Sequence, residues 1–261
     1  MKQTTKIIIC LLAMQTLALI GGDVEELHNL RNCVLRVGRV GFSNNTTAID
    51  TSGHGNDGTC VGGCVWNKAV NAYSFNGSST YINLNNSLDE FSFIQNTLDF
   101  TISAWIKINN LDGRLGIMGS AASSGDKGFF FLWETSGGGN GDHALRVFAG
   151  RGTGICEVDG HSDNNSTITD NNWHHVVVKG NPTYNGFLFY VDNVLKTTTY
   201  RIPFAGYSSG DSTRALLLGA VHHTSPILYY NGTIANVHIY DRTLSATEIH
   251  KLYLKGKELH K

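Results

Sequence analysis

The sequence predicts an all-β fold of antiparallel strands with one short helix near its C-terminal end. Three observations support this prediction: many short apolar runs occur, clusters of Gly, Asn, Asp and Ser separate them, and a helix start signal stands late in the chain. The 30 Gly, 3 Pro and 16% charged residues are typical of a loop-rich globular domain and not of a disordered chain. A length of 261 residues suits one large all-β domain.

The clearest strand is predicted over Phe100–Ile108, where apolar Phe, Ile and Ala alternate with Thr, Ser, Trp and Lys at the period of two that a sheet requires. Roughly a dozen or more such runs, with turns at regular spacing, indicate an antiparallel sandwich or barrel. In chain order, the other runs are Cys33–Phe42, Thr59–Val61, Cys64–Trp66, Ala72–Phe75, Tyr81–Leu84, Leu115–Met118, Gly128–Trp133, Ala144–Phe148, Ile155–Val158, Trp173–Lys179, Phe187–Val191, Val194–Thr199, Ala215–Leu218 and Gly232–Tyr240.

A single helix is predicted after the last strand. Ser245 and Glu248 form a capping box, in which each side chain satisfies a free amide of the first turn. Gly256 is a natural stop. The helix has one apolar stripe, formed by Leu244, Ile249, Leu252 and Tyr253. We therefore expect it to pack on the outside of the strands and to complete the fold.

The first 22 residues predict a secretory signal. Lys2 and Lys6 precede an uncharged apolar run of 14 residues, and Gly21 and Gly22 follow it. A membrane-spanning helix needs about 17 or more residues, so an uncleaved anchor is the weaker alternative. Cleavage after Gly22 leaves no membrane span and predicts a secreted or surface-exposed protein, with one domain over 33–256. The net charge of −1 provides no basic surface for nucleic acid.

Cysteine usage agrees with export. Four cysteines remain after the signal, an even number that suits two disulfides in an oxidising compartment: Cys33, Cys60, Cys64 and Cys156. Three pairings are possible, and the sequence does not choose among them. The Cys60–Cys64 spacing favours a hairpin with a cysteine at each shoulder over a zinc ligand pair. Sequons for N-glycosylation occur in turn-like stretches, at Asn44, Asn45, Asn76, Asn85, Asn164, Asn165 and Asn231.

Seven segments together resemble the laminin-G-like branch of the concanavalin A-like lectin/glucanase jelly rolls. They stand in family order between about residues 33 and 254, namely the 50–63, 72–77 and 81–82 segments, Phe100–Ile106, Trp173–Val177, Phe189–Asn193 and the closing 232–248 segment. The resemblance implies a two-sheet antiparallel jelly-roll sandwich. Members of this family are commonly extracellular carbohydrate-binding or adhesion modules, and a scaffold of this kind can carry several functions.

The resemblance also implies a calcium ion near the meeting point of the chain ends. Relatives usually place acidic residues in an early loop and in the last strand, whereas this chain has Ala235-Asn236 in the last strand. Asp50, Asn56 and Asn236 are the candidate ligands, and calcium prefers several hard oxygen atoms. The favoured alternative is that Asp50 and Asn56 cap a tight turn through bonds to the backbone.

Catalysis is not predicted. Glycosidases of this superfamily align carboxylates on an E-x-D-x-x-E strand, and in this chain only Glu157 and Asp159 match, without the third carboxylate. His174 and His175 are adjacent on a strand, so their side chains point to opposite faces and do not converge on one metal ion.

A sugar site is predicted where aromatic rings lie beside a flexible polar loop, because sugars pack an apolar face on a flat ring and bind polar groups around it. The candidates are Trp133, Glu134, Asn140, Asp142 and His143, with Tyr229 and Tyr230 as a second patch. The favoured alternative is that the Phe129–Phe131 run fills both faces of an internal strand.

These observations predict a secreted, non-catalytic module that binds extracellular glycans or mediates adhesion. The partner is then an extracellular carbohydrate or a cell-surface or matrix protein. A structural or protein-interaction module without a glycan site is the alternative. A hydrolase or lyase is the weakest hypothesis, because the acid pair is missing.

Overall fold

The computed structural model describes residues 32–38, 43–84, 90–121, 128–135, 143–150, 156–162, 168–181, 186–202, 214–221 and 226–260. Contacts divide the chain into a unit of Met1–Cys33 and a unit of Val34–Lys261. The described strands and helices belong to the second unit, except that Cys33 begins the first strand. The predicted signal lies outside the described residues. Within them, no helix is both long and apolar enough to cross a membrane.

Strands dominate the described part of the chain. They are β1 (Cys33–Val37), β2 (Thr47–Ala48), β3 (Gly58–Val61), β4 (Val65–Asn67), β5 (Ala72–Asn76), β6 (Tyr81–Leu84), β7 (Thr101–Ile108), β8 (Arg114–Gly119), β9 (Gly128–Glu134), β10 (Ala144–Gly150), β11 (Cys156–Ser162), β12 (Trp173–Asn181), β13 (Gly186–Val191), β14 (Val194–Lys196), β15 (Thr198–Ile202), β16 (Leu216–Leu218) and β17 (Asn231–Tyr240). The helices are α1 (Phe93–Asn96) and α2 (Ala246–Lys257).

The strands form two sheets. The eight-stranded sheet runs β14-β13-β12-β7-β17-β5-β4, with β1 paired to β17, and the nine-stranded sheet runs β15-β11-β10-β9-β8-β16-β6-β3-β2. The strand pairs with a defined register are antiparallel, as in β7 with β12 and β7 with β17. This arrangement confirms the predicted all-β, two-sheet jelly-roll sandwich.

The core lies between the sheets and consists of alternate residues of each strand. On β7, Ile102, Ala104, Ile106 and Ile108 enter this core, as the sequence pattern predicts. Facing them from the nine-stranded sheet are Phe129, Phe131 and Trp133. Burying each large apolar side chain contributes about 1.5–3 kcal/mol, so the period of two determines which face of each strand turns inwards.

The structure differs from the predicted elements at three places. The run Val194–Thr199 is two strands, because β14 joins the eight-stranded sheet and β15 the nine-stranded one. The two-residue strand β2 and the single helical turn α1 are too short to give a periodic signal.

The disulfide between Cys60 and Cys64 corrects the predicted hairpin. Strand β3 ends just after Cys60 and belongs to the nine-stranded sheet, whereas β4 begins after Cys64 and belongs to the eight-stranded sheet. The bond therefore closes a turn that carries the chain from one sheet to the other. Gly62 and Gly63 make this turn with φ of 74° and 83°, values that favour glycine. Cys33 is buried, and the side chain of Cys156 lies outside the description, so a second disulfide stays a prediction.

Helix α2 confirms the predicted capping box, with the Ser245 and Glu248 side chains each bonded to the other's backbone amide. Its start is tied to β7, because Thr101 Oγ1 donates to Arg242 O and accepts from Leu244 N. Further along, Tyr253 stacks on Trp105, which faces away from the core. The helix thus packs on the outer face of the eight-stranded sheet.

Candidate ligand-binding surface

Trp133 is not on the surface. Its side chain is fully buried in the core, where its neighbours across the sheet are Leu145 and Leu115. The sequence Phe129–Phe131 fills both faces of β9, with Phe129 and Phe131 in the core and Phe130 on the outer face. This placement corrects the expectation that Trp133 offers its ring to a sugar, because apolar neighbours occupy the ring's surface.

Glu134 is also fully buried, but on the outer face of the nine-stranded sheet. Arg146 Nη1 donates to both of its carboxylate oxygens at 3.0 and 3.1 Å, and Arg114 Nε lies 3.1 Å from Oε2. Because residues 114, 134 and 146 belong to β8, β9 and β10, the carboxylate joins three strands. A carboxylate held in this way is a structural ion pair. Of the other candidates in this patch, His143 lies edge-on to the Trp133 ring, and Asn140 and Asp142 lie outside the described residues.

Tyr229 and Tyr230, the second predicted patch, lie in different surroundings. Tyr230 is fully buried and meets Phe75 edge-to-face at 6.3 Å, and burial raises the pKa of its hydroxyl well above 10. Tyr229 is partly exposed, and its ring centroid lies 6.3 Å from that of Tyr81. Tyr229 and Tyr81 therefore form an aromatic pair at the surface, whereas Tyr230 belongs to the core.

Strand β6 positions the second half of this pair. Ile82 and Leu84 point into the core, so Tyr81 and Asn83 share the outer face of the nine-stranded sheet. The Asn83 Oδ1 atom is buried and has no hydrogen-bond partner, although buried polar atoms nearly always have one. Two partly exposed tyrosine rings thus lie on this surface, and the Asn83 amide oxygen is buried on the same face of β6. Tyr81 and Asn83 are not among the candidates that the sequence predicts, although their alternation with Ile82 and Leu84 gives this face.

Backbone bonds on both sides hold Tyr229 in place. Leu228 O accepts from Gly116 N at 2.6 Å, and Tyr230 N donates to Gly219 O at 2.9 Å. Gly219 has a φ of 82°, and a Cβ there would overlap the Phe75 ring, so only glycine fits. The Tyr229 ring is therefore presented by a segment anchored to β8 and to the end of β16.

The residues predicted for calcium do not fit that ion. Asp50 Oδ1 accepts from the backbone amides of Arg36 and Ser52, both at 2.9 Å. Asp50 Oδ2 accepts from Ser52 Oγ at 2.8 Å and from the backbone amide of Asn56 at 3.0 Å. Four hydrogen bonds use the lone pairs that a carboxylate would offer to a metal. Asn56 in turn donates to Val34 O. This is the turn-capping role that the sequence favours.

Asn236 also has other partners. Its side-chain Nδ2 donates to His260 Nε2 at 3.1 Å. Its backbone carbonyl oxygen accepts from His238 Nδ1 at 2.9 Å. It lies in a bulge of β17 with a φ of 47°. Across the described part of the chain, no three His, Cys, Asp or Glu side chains are grouped as metal ligands.

The two adjacent histidines have different surroundings, as the strand geometry predicts. His174 lies between two carboxylates, with Nδ1 2.7 Å from Asp192 Oδ2 and Nε2 3.0 Å from Asp170 Oδ1. Burial acts to lower its pKa, but these two bonds outweigh burial, so the pKa is raised. His175 is buried, with Nε2 2.9 Å from Ser103 Oγ, and burial lowers its pKa to about 3. The side chains of Glu157 and Asp159 lie outside the description.

Residues 76–250 match the family model for the concanavalin A-like lectin/glucanase superfamily. No curated protein matches the chain. Among solved structures, it is similar to the receptor-binding domain of botulinum neurotoxin C/D mosaic serotype, with a TM-score of 0.63 and 14% identity over 87% of this chain and 52% of that one. It is similar to the binding domain of botulinum neurotoxin DC in complex with SialylT, with a TM-score of 0.63 and 16% identity over 87% and 52%.

A third similar structure is that of botulinum neurotoxin type C, described as depending for cell entry on two ganglioside molecules, with a TM-score of 0.62 and 15% identity over 88% and 52%. The chain therefore spans about half of each of these toxin chains. At these identities the likeness shows the shared fold.

Proposed function

Because the chain belongs to the concanavalin A-like lectin/glucanase superfamily, we propose that it is a secreted, non-catalytic module that binds extracellular glycans. The fold fits a binding module, and the similar toxin structures are receptor-binding domains. A ganglioside is a partner of the type C toxin, and synaptotagmin of the DC toxin domain. These partners support a carbohydrate or a protein ligand in general terms, and they belong to chains of which this one spans about half.

The single observation that carries the glycan hypothesis is the surface of Tyr81, Tyr229 and Asn83, which we term the tyrosine surface. Its two rings are partly exposed, and rings of this kind pack against the apolar face of a sugar. The Asn83 Oδ1 atom on the same face is buried, so the two rings carry the hypothesis.

Adhesion through a protein partner is the second candidate, and a different surface favours it. Strand β14 is an edge of the eight-stranded sheet, and its Val194 and Leu195 are 56% and 52% exposed. An edge strand with apolar side chains is a template for pairing with another chain. This candidate needs no sugar site.

A glycan array separates the two candidates. It should carry neutral oligosaccharides and gangliosides, and it compares the unmodified protein with Tyr229→Ala and with Leu195→Ala as the control. We expect Tyr229→Ala to weaken binding about two- to tenfold, since such ring contacts are worth about 0.5–1.5 kcal/mol, and Leu195→Ala to leave it unchanged. Equal glycan binding by the two variants would show that the tyrosine surface is not the glycan site. A blank array, with binding to whole cells that Leu195→Asp abolishes, would establish the protein-interaction function instead.

Secretion has its own test. The full chain, expressed in a secreting eukaryotic host, is expected in the medium with an N-terminus at Asp23, because the signal pattern ends at Gly22. N-terminal sequencing measures this directly. Recovery in the membrane fraction with residues 1–22 still attached would favour the uncleaved anchor.

A further inference from the structure

A turn in front of β2 holds the side chain of Asn44 through one atom. Asn44 Oδ1 accepts from Thr46 N at 2.8 Å, from Thr46 Oγ1 at 2.7 Å and from Thr47 N at 2.9 Å. Asn44 is exposed, and within the described part of the chain its Nδ2 atom has no hydrogen-bond partner. The turn therefore fixes the carboxamide by its oxygen and makes no use of its nitrogen.

Asn44 is also the first residue of an N-glycosylation sequon, Asn44-Asn45-Thr46, which overlaps with a second one that begins at Asn45. An attached glycan is bulky and must lie on the surface. It replaces one of the two hydrogens on Nδ2, so the sequons differ in what surrounds that nitrogen. The sequon asparagines among the described residues are Asn44, Asn45, Asn76 and Asn231.

Asn76 and Asn231 lie opposite each other on two paired strands, β5 and β17. Both strands have a neighbouring strand on each side. Asn76 Nδ2 donates to Ser79 Oγ at 2.9 Å, and Asn76 Oδ1 accepts from Ser79 N at 2.9 Å, so this carboxamide holds the turn after β5. The Asn231 Nδ2 atom would lie only 3.1 Å from a Cβ at Gly77, so its nitrogen is close to the backbone of that glycine. Neither nitrogen has open space around it.

Asn45 is exposed but is bound to the neighbouring sheet. Its Oδ1 accepts from the backbone amide of Trp66, on β4, at 2.7 Å. This bond turns the carboxamide of Asn45 towards β4, so a glycan on its nitrogen would have to lie beside that strand. Asn44 is bound only to its own turn. The strand that follows it, β2, is the last strand of the nine-stranded sheet, so no further strand of that sheet lies beside it.

We propose that Asn44 carries a covalently attached N-linked glycan and that it is the occupied residue among these four. The donor is an oligosaccharide on a polyprenyl pyrophosphate. Asn44 Nδ2 forms a bond to the anomeric carbon, the bond from that carbon to the pyrophosphate oxygen breaks, the polyprenyl pyrophosphate leaves, and one Nδ2 proton passes to solvent. The three bonds to Oδ1 remain, because the transfer changes the nitrogen alone. The assignment rests on the proposed secretion and needs no sugar ligand.

The test maps attached glycans on the unmodified full chain, expressed in a secreting eukaryotic host. Peptide N-glycosidase in heavy-oxygen water converts each modified asparagine to a mass-labelled aspartate, which peptide mass spectrometry locates. We expect the occupancy of Asn44 to be at least about tenfold higher than that of Asn45, Asn76 or Asn231, because a bulky group needs an open surface. A lower occupancy at Asn44 than at any of these three, or none at all, would overturn the proposal.

Two matched substitutions separate the overlapping sequons. Asn44→Gln leaves the sequon of Asn45 intact, and Asn45→Gln leaves that of Asn44 intact. We expect Asn44→Gln to lose the glycosidase-sensitive mass of this peptide and Asn45→Gln to keep it. The reverse result would overturn the assignment. The measurement on the unmodified chain stands even if a variant does not fold.

Failure of secretion is read separately, from the compartment and the N-terminus of the chain. Should the chain not be exported by its own first residues, a host signal placed ahead of the full chain brings it into the same compartment. The occupancy of Asn44 against that of the other three asparagines then decides the assignment by the same criterion.

Discussion

Gly256 lies directly against the Trp105 indole, at a place where the helix backbone meets the outer face of the sheet. A Cβ at position 256 would overlap the indole ring, so the contact requires glycine. The same contact brings the end of α2 onto β7. One glycine thus determines how closely the last helix approaches the sheet.

Gly256→Ala should lower the free energy of unfolding by about 1–3 kcal/mol, because the new methyl group overpacks against Trp105. Alanine favours a helix over glycine by about 1 kcal/mol. A lower free energy of unfolding for Gly256→Ala would therefore show that the overpacking against Trp105 outweighs the gain in helix propensity. Urea unfolding measures the change, and Leu254→Ala, on the exposed side of α2, is the control. An unchanged or raised midpoint for Gly256→Ala would disprove the close contact.

Glu134→Gln should destabilise the protein by about 3–5 kcal/mol, because it removes the carboxylate that binds Arg146, a side chain only 4% exposed. Arg114→Gln should cost less than about 1 kcal/mol, since the Arg114 side chain is 46% exposed and water screens its charge. Both values come from urea unfolding. Equal losses for the two variants would show that burial does not separate the two ion pairs.

Asp50→Asn should destabilise the protein by about 1–3 kcal/mol, because an amide has one acceptor oxygen where the carboxylate has two. Thermal unfolding in calcium and in chelator should give the same midpoint, since the lone pairs of Asp50 are already used. A midpoint that rises with calcium would show a bound ion and contradict the turn-capping role of this residue.

Acidification should destabilise the fold through buried histidines. Burial lowers the pKa of His175 and His238 to about 3 and that of His260 to about 4. The unfolded chain therefore binds more protons than the folded one from about pH 6.5 down to these values, and stability falls by up to about 1.4 kcal/mol per pH unit and histidine. Urea midpoints between pH 7 and 4 measure the slope. His175→Asn should flatten it, and an identical slope would exclude His175 as a source.

His174 should have the opposite pH dependence. Burial acts to lower the pKa of His174, but the hydrogen bonds to Asp192 and Asp170 outweigh burial and raise the pKa above its value in the unfolded chain. Its contribution is therefore fully present below about pH 6.5 and is lost as pH rises through the raised pKa. Asp192→Asn should lower stability more at pH 6 than at pH 9, measured by urea unfolding. A loss that is equal at both pH values would mean that the charge of the His174 ring does not change between them.

Much of the fold follows from local patterns. The alternation in β7, the Ser245–Glu248 capping box and the turn around Asp50 each depend on neighbouring residues, so the sequence predicts them and the structure has them. The division of Val194–Thr199 between two sheets cannot be predicted from neighbouring residues, because strand pairing is a relation between segments that are distant in the chain. The two-residue strand β2 has no period to detect.

The candidate site was harder to predict for the same reason. Trp133 and Tyr229 are both aromatic residues beside polar stretches, and only the sandwich decides that the first enters the core and the second stays partly exposed. Tyr81 joins Tyr229 although 148 positions separate them in the chain (229 − 81). A pair of this kind leaves no trace in local composition.

By itself, the sequence determined the all-β class, the helix that follows the last strand and the family, because periodicity and capping are properties of short segments. The tertiary structure alone decided which rings reach the surface, which carboxylates are used in hydrogen bonds and where His260 rests. These outcomes depend on which strands become neighbours, and that depends on burying the whole core at once.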